Sequence, residues 1–130
     1  MKSKPIGPKA HGAIDYGFAT INALAPTLLN LQGPAKTLCY AFAGTQGLLN
    51  MLTDQPLALK KLVPFKVHGQ LEAPYVPALL LLLLVTGAMK QRKTRNYFLA
   101  FFGIALANYL LTDYKANEPG RQVRVKAEVH

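Results

Sequence analysis

Charged residues are missing from long stretches of the chain. Between residues 16 and 53 the only one is Lys36, and none lies between 73 and 89 or between 96 and 112. A bilayer core takes about 17–25 largely apolar residues per helix, and a charge at its centre costs several kcal/mol. The charge-free stretches therefore predict helical spans at 11–31, 37–53, 68–88 and 96–112. At 1.5 Å per residue the two shorter spans reach about 25 Å, just enough to cross. Residues 79–85 are apolar all round, the pattern of a helix that meets lipid or other helices. A soluble bundle would need outer helices with a charged face, and none of the four spans carries one.

The connections suit hairpins. Leu31-Gln32-Gly33-Pro34 is a turn signal, Lys90-Gln91-Arg92-Lys93-Thr94-Arg95 separates the last two spans, and 55–66 is the longest link, with Pro56 and Pro64 near its ends. Four spans put both termini on one side. That side carries ten of the basic residues and the other carries five, which predicts both termini in the cytoplasm. Lys2 and Lys4 before an apolar stretch, with Ala23-Leu24-Ala25 beyond it, imitate a signal peptide. Pro26 after that tripeptide, and His11 and Asp15 inside the apolar stretch, favour a retained first span.

Composition agrees with this pattern. Of 130 residues 51% are hydrophobic and only 16% are charged, so the chain is too apolar to stay disordered. One cysteine, Cys39, excludes an internal disulfide framework and reads as a packing residue. The net charge of +9 is divided between two membrane sides with no motif to aim it at nucleic acid. No nucleophile elbow, P-loop or dinucleotide fingerprint is present.

The chain also repeats itself. Lys9-Ala10-His11-Gly12-Ala13-Ile14-Asp15 matches Lys66-Val67-His68-Gly69-Gln70-Leu71-Glu72 as K-x-H-G-x-x-[DE]. Residues 40–54 match 99–113 with six of fifteen positions identical, among them the closing Leu-Thr-Asp of each block. Each half is predicted to be a two-span hairpin, and two such halves insert in parallel. Gly44 and Gly103, a repeated pair, read as contact points between helices.

Four of the six acidic residues, Asp15, Asp54, Glu72 and Asp113, fall at span ends in repeat-related positions, beside His11 and His68. All six groups are expected at the terminal-side face, where isolated charges are costly and should pair or meet water. His11 and Asp15 share a helix face, and Asn22 continues it inward. Gln46, Asn50 and Asp54 form a second stripe on span two. Pro74 and Pro77 suit a first helical turn, which places the start of the third span near Ala73 and His68 on an entry segment. Helix dipoles disfavour Asp at a helix end and charged His at a helix start. Both mismatches vanish if His11 meets Asp54 or Asp113 and His68 meets the other.

Three kinds of chemistry fit these residues, beside a purely structural clamp of helix ends with Gly12 and Gly69 allowing close approach. Two histidines and up to four carboxylates (His11, Asp15, Asp54, His68, Glu72, Asp113) form a ligand set for iron, manganese or zinc. Haem held between His11 and His68 is the second. A proton or cation path lined by Gln46, Asn50, Asp54, His11, Asp15 and Asn22 is the third.

The His-Gly-x-x-Asp-Tyr opening at 11–16, Lys-x-His-Gly-x-x-Glu at 66–72 and Leu-Leu-Thr-Asp-Tyr at 110–114 resemble a group of small bacterial four-span membrane proteins of unestablished function. The duplicated hairpin is similar to SPW-repeat membrane proteins, although this chain has no Trp. The resemblance implies a bacterial inner-membrane protein and carries over no catalytic residue. The expected architecture is an all-α integral membrane four-helix bundle of two parallel hairpin repeats, 9–55 and 66–114. They form one domain over 1–115, with a polar basic tail at 116–130. The expected role is binding a small cationic ligand or metal, or fixing assembly, rather than catalysis. The bilayer and a homodimer or larger membrane complex are the expected partners.

Overall fold

Proline and glycine punctuate the chain where its helices begin. Gly7-Pro8 opens α1 (Pro8–Leu28), Gly33-Pro34 opens α2 (Pro34–Met51) and Pro64 precedes α3 (Phe65–Val85). Proline suits a first turn because its missing N–H would have no partner there. A left-handed Gly87 (φ +75°) then turns the chain into a short 3-10 segment, Ala88–Lys90, and α4 (Arg92–Leu111) follows. The computed structural model describes residues 4–115. Within them the fold is all-helical, with no strand and only two isolated β-bridges. The basic tail expected at 116–130 lies outside the described residues.

The four stretches expected to be helical match α1–α4 to within a few residues, as helices. The third differs in its start. Pro74 and Pro77 sit inside α3 and mark no boundary, so the helix begins at Phe65 and places His68 and Glu72 one turn apart on it. An interior proline costs one backbone bond but keeps helical φ. Among the described residues only α3 is long and apolar enough to cross a membrane. α1 carries His11, Asp15 and Asn22, and α4 opens on Arg92, Lys93 and Arg95.

α1 lies closest to α2, where a Cβ at Gly47 would stand 3.6 Å from the Ala19 side chain. Gly44 and Gly103 do not serve as contact points: nothing lies within 4 Å of a Cβ at either, and both are exposed. The close approaches are at Gly12 and Gly69, where a Cβ would overlap Gln55 and Tyr114 respectively.

The interior is built from rings. Phe101 meets Phe18 and Phe42 edge-on at 5.2 and 5.1 Å, and Phe98, Leu79, Leu83 and Cys39 complete the cluster. Polar side chains are also inside: His11, Asp15, Asn22, Asn50 and His68 are wholly buried, and Gln46, Glu72 and Asn108 nearly so. Large apolar side chains are outside, with Leu28, Val85, Leu81 and Ile104 each 60% or more exposed.

Candidate metal centre

The site forms where two helix ends meet two helix starts. Past α4 the chain extends and pairs with the segment before α1: Ile6 N–H donates to Leu111 O (3.1 Å) and Asp113 N–H to Ile6 O (2.8 Å). Past α2 the same thing happens before α3: Val63 N–H donates to Leu52 O (2.8 Å) and Asp54 N–H to Val63 O (2.7 Å). These bridges hold Thr112 and Thr53 against the first turns of α1 and α3.

Each threonine meets a histidine. His11 Nδ1 lies 2.8 Å from Thr112 Oγ1, and His68 Nδ1 lies 2.8 Å from Thr53 Oγ1. The single hydroxyl proton of each threonine is already committed. Thr112 donates to Asn108 O (2.5 Å) and Thr53 to Leu49 O (2.6 Å). Both threonine oxygens can therefore only accept, and both histidines must carry their proton on Nδ1. A neutral ring then presents a lone pair at Nε2.

Both Nε2 atoms point at carboxylates. Asp15 Oδ2 is 2.9 Å from each of them, while Glu72 Oε2 is 3.4 Å from His11 Nε2 and 3.8 Å from His68 Nε2. Donor atoms of His11, Asp15, His68 and Glu72 all lie within 4.8 Å of one another, and all four residues are buried. Lone pairs facing carboxylate oxygens repel unless a cation sits among them. A proton suffices at His68, whose Nε2 hydrogen-bonds Asp15 Oδ2 at 2.9 Å. At His11 the contact with Asp15 Oδ2 is equally short but poorly aligned, so Nε2 makes an ion pair without a well-directed hydrogen bond, and Asp15 Oδ1 has no hydrogen-bond partner. Buried polar groups are rarely left so. The four side chains could hold a metal ion, with two imidazoles and two carboxylates as donors.

Aromatic rings pack against the quartet. Phe65 and Tyr114 meet the His11 ring at 5.5 and 5.3 Å and each other at 5.2 Å. Tyr114 also donates to Glu72 Oε2 at 2.7 Å. Burial, reinforced by the charge on Glu72, holds the Tyr114 phenol well above its ordinary range, so it stays a donor.

The other expected residues lie elsewhere. Asp54 and Asp113 do not meet the histidines; the adjacent threonines do. Asp113 instead accepts from the Lys115 N–H at 3.2 Å. Asn50 donates to Gly12 O (2.8 Å) and fastens α2 to α1. Asn22 accepts from Tyr97 OH (2.9 Å), and Phe18, Phe42 and Phe101 close the bundle along its interior. Gln46 is buried beside Glu72 in a cleft between α2 and α3, its Nε2 without a partner.

Thr53, Thr112, Phe65 and Tyr114 escaped the sequence reading. The threonines carried a signal, since both belong to the repeated Leu-Thr-Asp. Phe65 carried none. No protein family, curated protein or solved structure matches the chain.

Proposed function

We propose that this chain is a small integral membrane protein that holds one divalent first-row transition ion through His11, Asp15, His68 and Glu72. The observation that carries the reading is His11. Its Nδ1 is committed as a donor to Thr112, and its Nε2 faces two carboxylates with no aligned hydrogen bond. A metal ion at the centre would satisfy Nε2 and the carboxylates together, in place of a proton shared between His11 and Asp15 at 2.9 Å. Metal-bound histidines characteristically donate their second ring N–H to an outer partner, the role of Thr53 and Thr112 here. Imidazole and carboxylate without thiolate suit iron, manganese or zinc.

The bilayer is supported by the distribution of side chains. A bundle with its amides, carboxylates and imidazoles inside and Leu28, Leu81, Val85 and Ile104 outside is solvated by lipid more readily than by water. The bacterial inner membrane, cytoplasmic termini and a homodimer belong to the same proposal. So does duplication of one hairpin. The paired contacts support it: His11 with Thr112 and His68 with Thr53, Gly12 under Gln55 and Gly69 under Tyr114.

Two other readings are disfavoured. A conducting path would have to pass Phe18, Phe42 and Phe101. Haem between the histidines would displace Asp15 Oδ2, which lies 2.9 Å from both Nε2 atoms.

Elemental analysis of the detergent-purified protein, beside a His11→Ala/His68→Ala variant and Glu72→Gln, tests the reading. Near-stoichiometric iron, manganese or zinc, lost in the double variant and weakened in Glu72→Gln, is the expected result. A wild-type chain that takes up none of the three ions when incubated with each would overturn it and leave a hydrogen-bonded clamp.

A further inference from the structure

The segment joining α2 to α3 is exposed yet tied down. Ala58 N–H donates to Gln55 O (3.0 Å), the N–H groups of Leu59 and Lys60 share Met51 O (2.9 and 3.0 Å), and Leu62 N–H reaches Leu52 O (2.9 Å). The Tyr16 hydroxyl on α1 donates to Leu57 O at 2.9 Å. This pinned segment displays two kinds of side chain. Leu59 is 82% exposed and Leu62 59%, and the lysines between them, Lys60 and Lys61, are exposed as well. A loop that holds leucines away from the protein by its own backbone bonds suits an apolar medium outside it. Lysines set among those leucines place the loop at a charged edge of that medium.

An open groove of about 620 Å³ runs between this segment and the start of α1. Ala10, Ala13, Pro56 and Leu57 give it apolar walls, and Lys9 is its one ionisable group. Among the described residues Lys9, Lys60 and Lys61 make no ion pair, whereas Lys66, the repeat counterpart of Lys9, is engaged. The volume falls in the range usual for small-molecule sites. Apolar walls beside an unpaired cation fit a molecule with an acyl body and an anionic head. A zwitterionic head brings its own ammonium and forfeits part of that attraction. The proposed topology sets the groove at the terminal-side end of α1, level with the headgroups, on the side that carries ten of the basic residues.

We infer that this groove binds an anionic phospholipid of the terminal-side leaflet, its acyl region against Ala10, Ala13 and Leu57 and its phosphate on Lys9. Leu59 and Leu62 enter the same leaflet, and Lys60 and Lys61 meet neighbouring headgroups. The assignment rests on the bilayer reading and not on the metal, because none of these residues belongs to the quartet.

The chain has no Trp, so a single introduced tryptophan is an unambiguous reporter. Leu57→Trp and Ala13→Trp place it on opposite walls of the groove, the second at an exposed position that leaves the fold alone; Leu59→Trp places it on the loop. Each variant is reconstituted into phosphatidylcholine vesicles containing dibrominated phosphatidylglycerol or dibrominated phosphatidylcholine, whose bromines quench an indole they touch. Leu59→Trp should be quenched by both lipids. The groove reporters should show phosphatidylglycerol bound about fivefold or more over phosphatidylcholine, the preference expected from one lysine at a membrane surface. Adding Lys9→Gln should remove most of that preference, and Lys93→Gln, on the opposite side, should leave it unchanged. Equal quenching of both groove reporters by the two lipids, a preference that survives Lys9→Gln, or no quenching at Leu59→Trp would overturn the assignment. Flotation of the same vesicles through an alkaline wash separates the two readings. A chain that floats but shows no preference keeps the bilayer and loses this site; a chain that does not float loses both.

Discussion

Replacing Thr53 with valine removes one hydroxyl from the buried outer ring of the site and changes almost nothing else in volume. Thr53 Oγ1 is the acceptor for His68 Nδ1 at 2.8 Å and donates to Leu49 O at 2.6 Å. The variant therefore leaves a buried ring N–H unpaired, which costs about 1–3 kcal/mol. Loss of an outer partner of a metal-bound histidine lowers metal affinity about 10–100-fold, or about 1.4–2.7 kcal/mol. The two figures agree because the same bond fixes the tautomer and orients Nε2. Thr112→Val should weaken binding by a similar factor, since His11 Nδ1 is also 2.8 Å from its threonine. Zinc affinity by competition with a chromogenic chelator measures the effect, and melting temperature on the same samples monitors the fold. Thr53→Ser keeps the hydroxyl and should restore most of the affinity, which separates orientation from packing. Zinc binding at wild-type strength in a folded Thr53→Val protein would refute the argument that Nδ1 is committed to threonine so that Nε2 can bind metal.

Lower pH should release the metal, because both Nε2 atoms must be deprotonated to bind it; a metal content independent of pH down to the carboxylate range would contradict the ligand set. Tyr114→Phe keeps the ring over Gly69 but loses the 2.7 Å bond to Glu72, so metal affinity should fall about tenfold with little change in melting temperature. Gly12→Ala and Gly69→Ala should each destabilise the fold by about 1–3 kcal/mol, since a Cβ would stand 2.6 Å from Gln55 Cδ and 2.7 Å from Tyr114 Cδ1. Gly44→Ala, with open space around it, serves as the control. If the exposed apolar faces meet lipid, the chain stays with membranes through an alkaline carbonate wash; recovery in the supernatant would refute the bilayer reading.

All four members of the quartet were among the six groups the sequence singled out, but only His11 with Asp15 was read as sharing a helical face, since the third span was expected to start after His68. His68 and Glu72 are also four residues apart, but they share a helical face only because α3 begins at Phe65. Asp54 and Asp113 were misplaced by the dipole argument. It treats the helix end as a point where charge is favoured or not, while the bridges to Val63 and Ile6 bring Thr53 and Thr112 to the histidines. The expected break at Pro74 came from a local preference of proline that the rest of α3 overrides.

The amino-acid sequence alone determined four helices, the turns between them and the His11–Asp15 face, because each depends on residues within a turn or two of one another. Tertiary structure alone decided that this face meets His68 and Glu72, that threonines and not aspartates back the histidines, that Phe65 and Tyr114 pack against them, and that Gln46 is left without a partner. Those are contacts between residues up to 101 positions apart, and no local periodicity encodes which helix end comes to rest against which helix start.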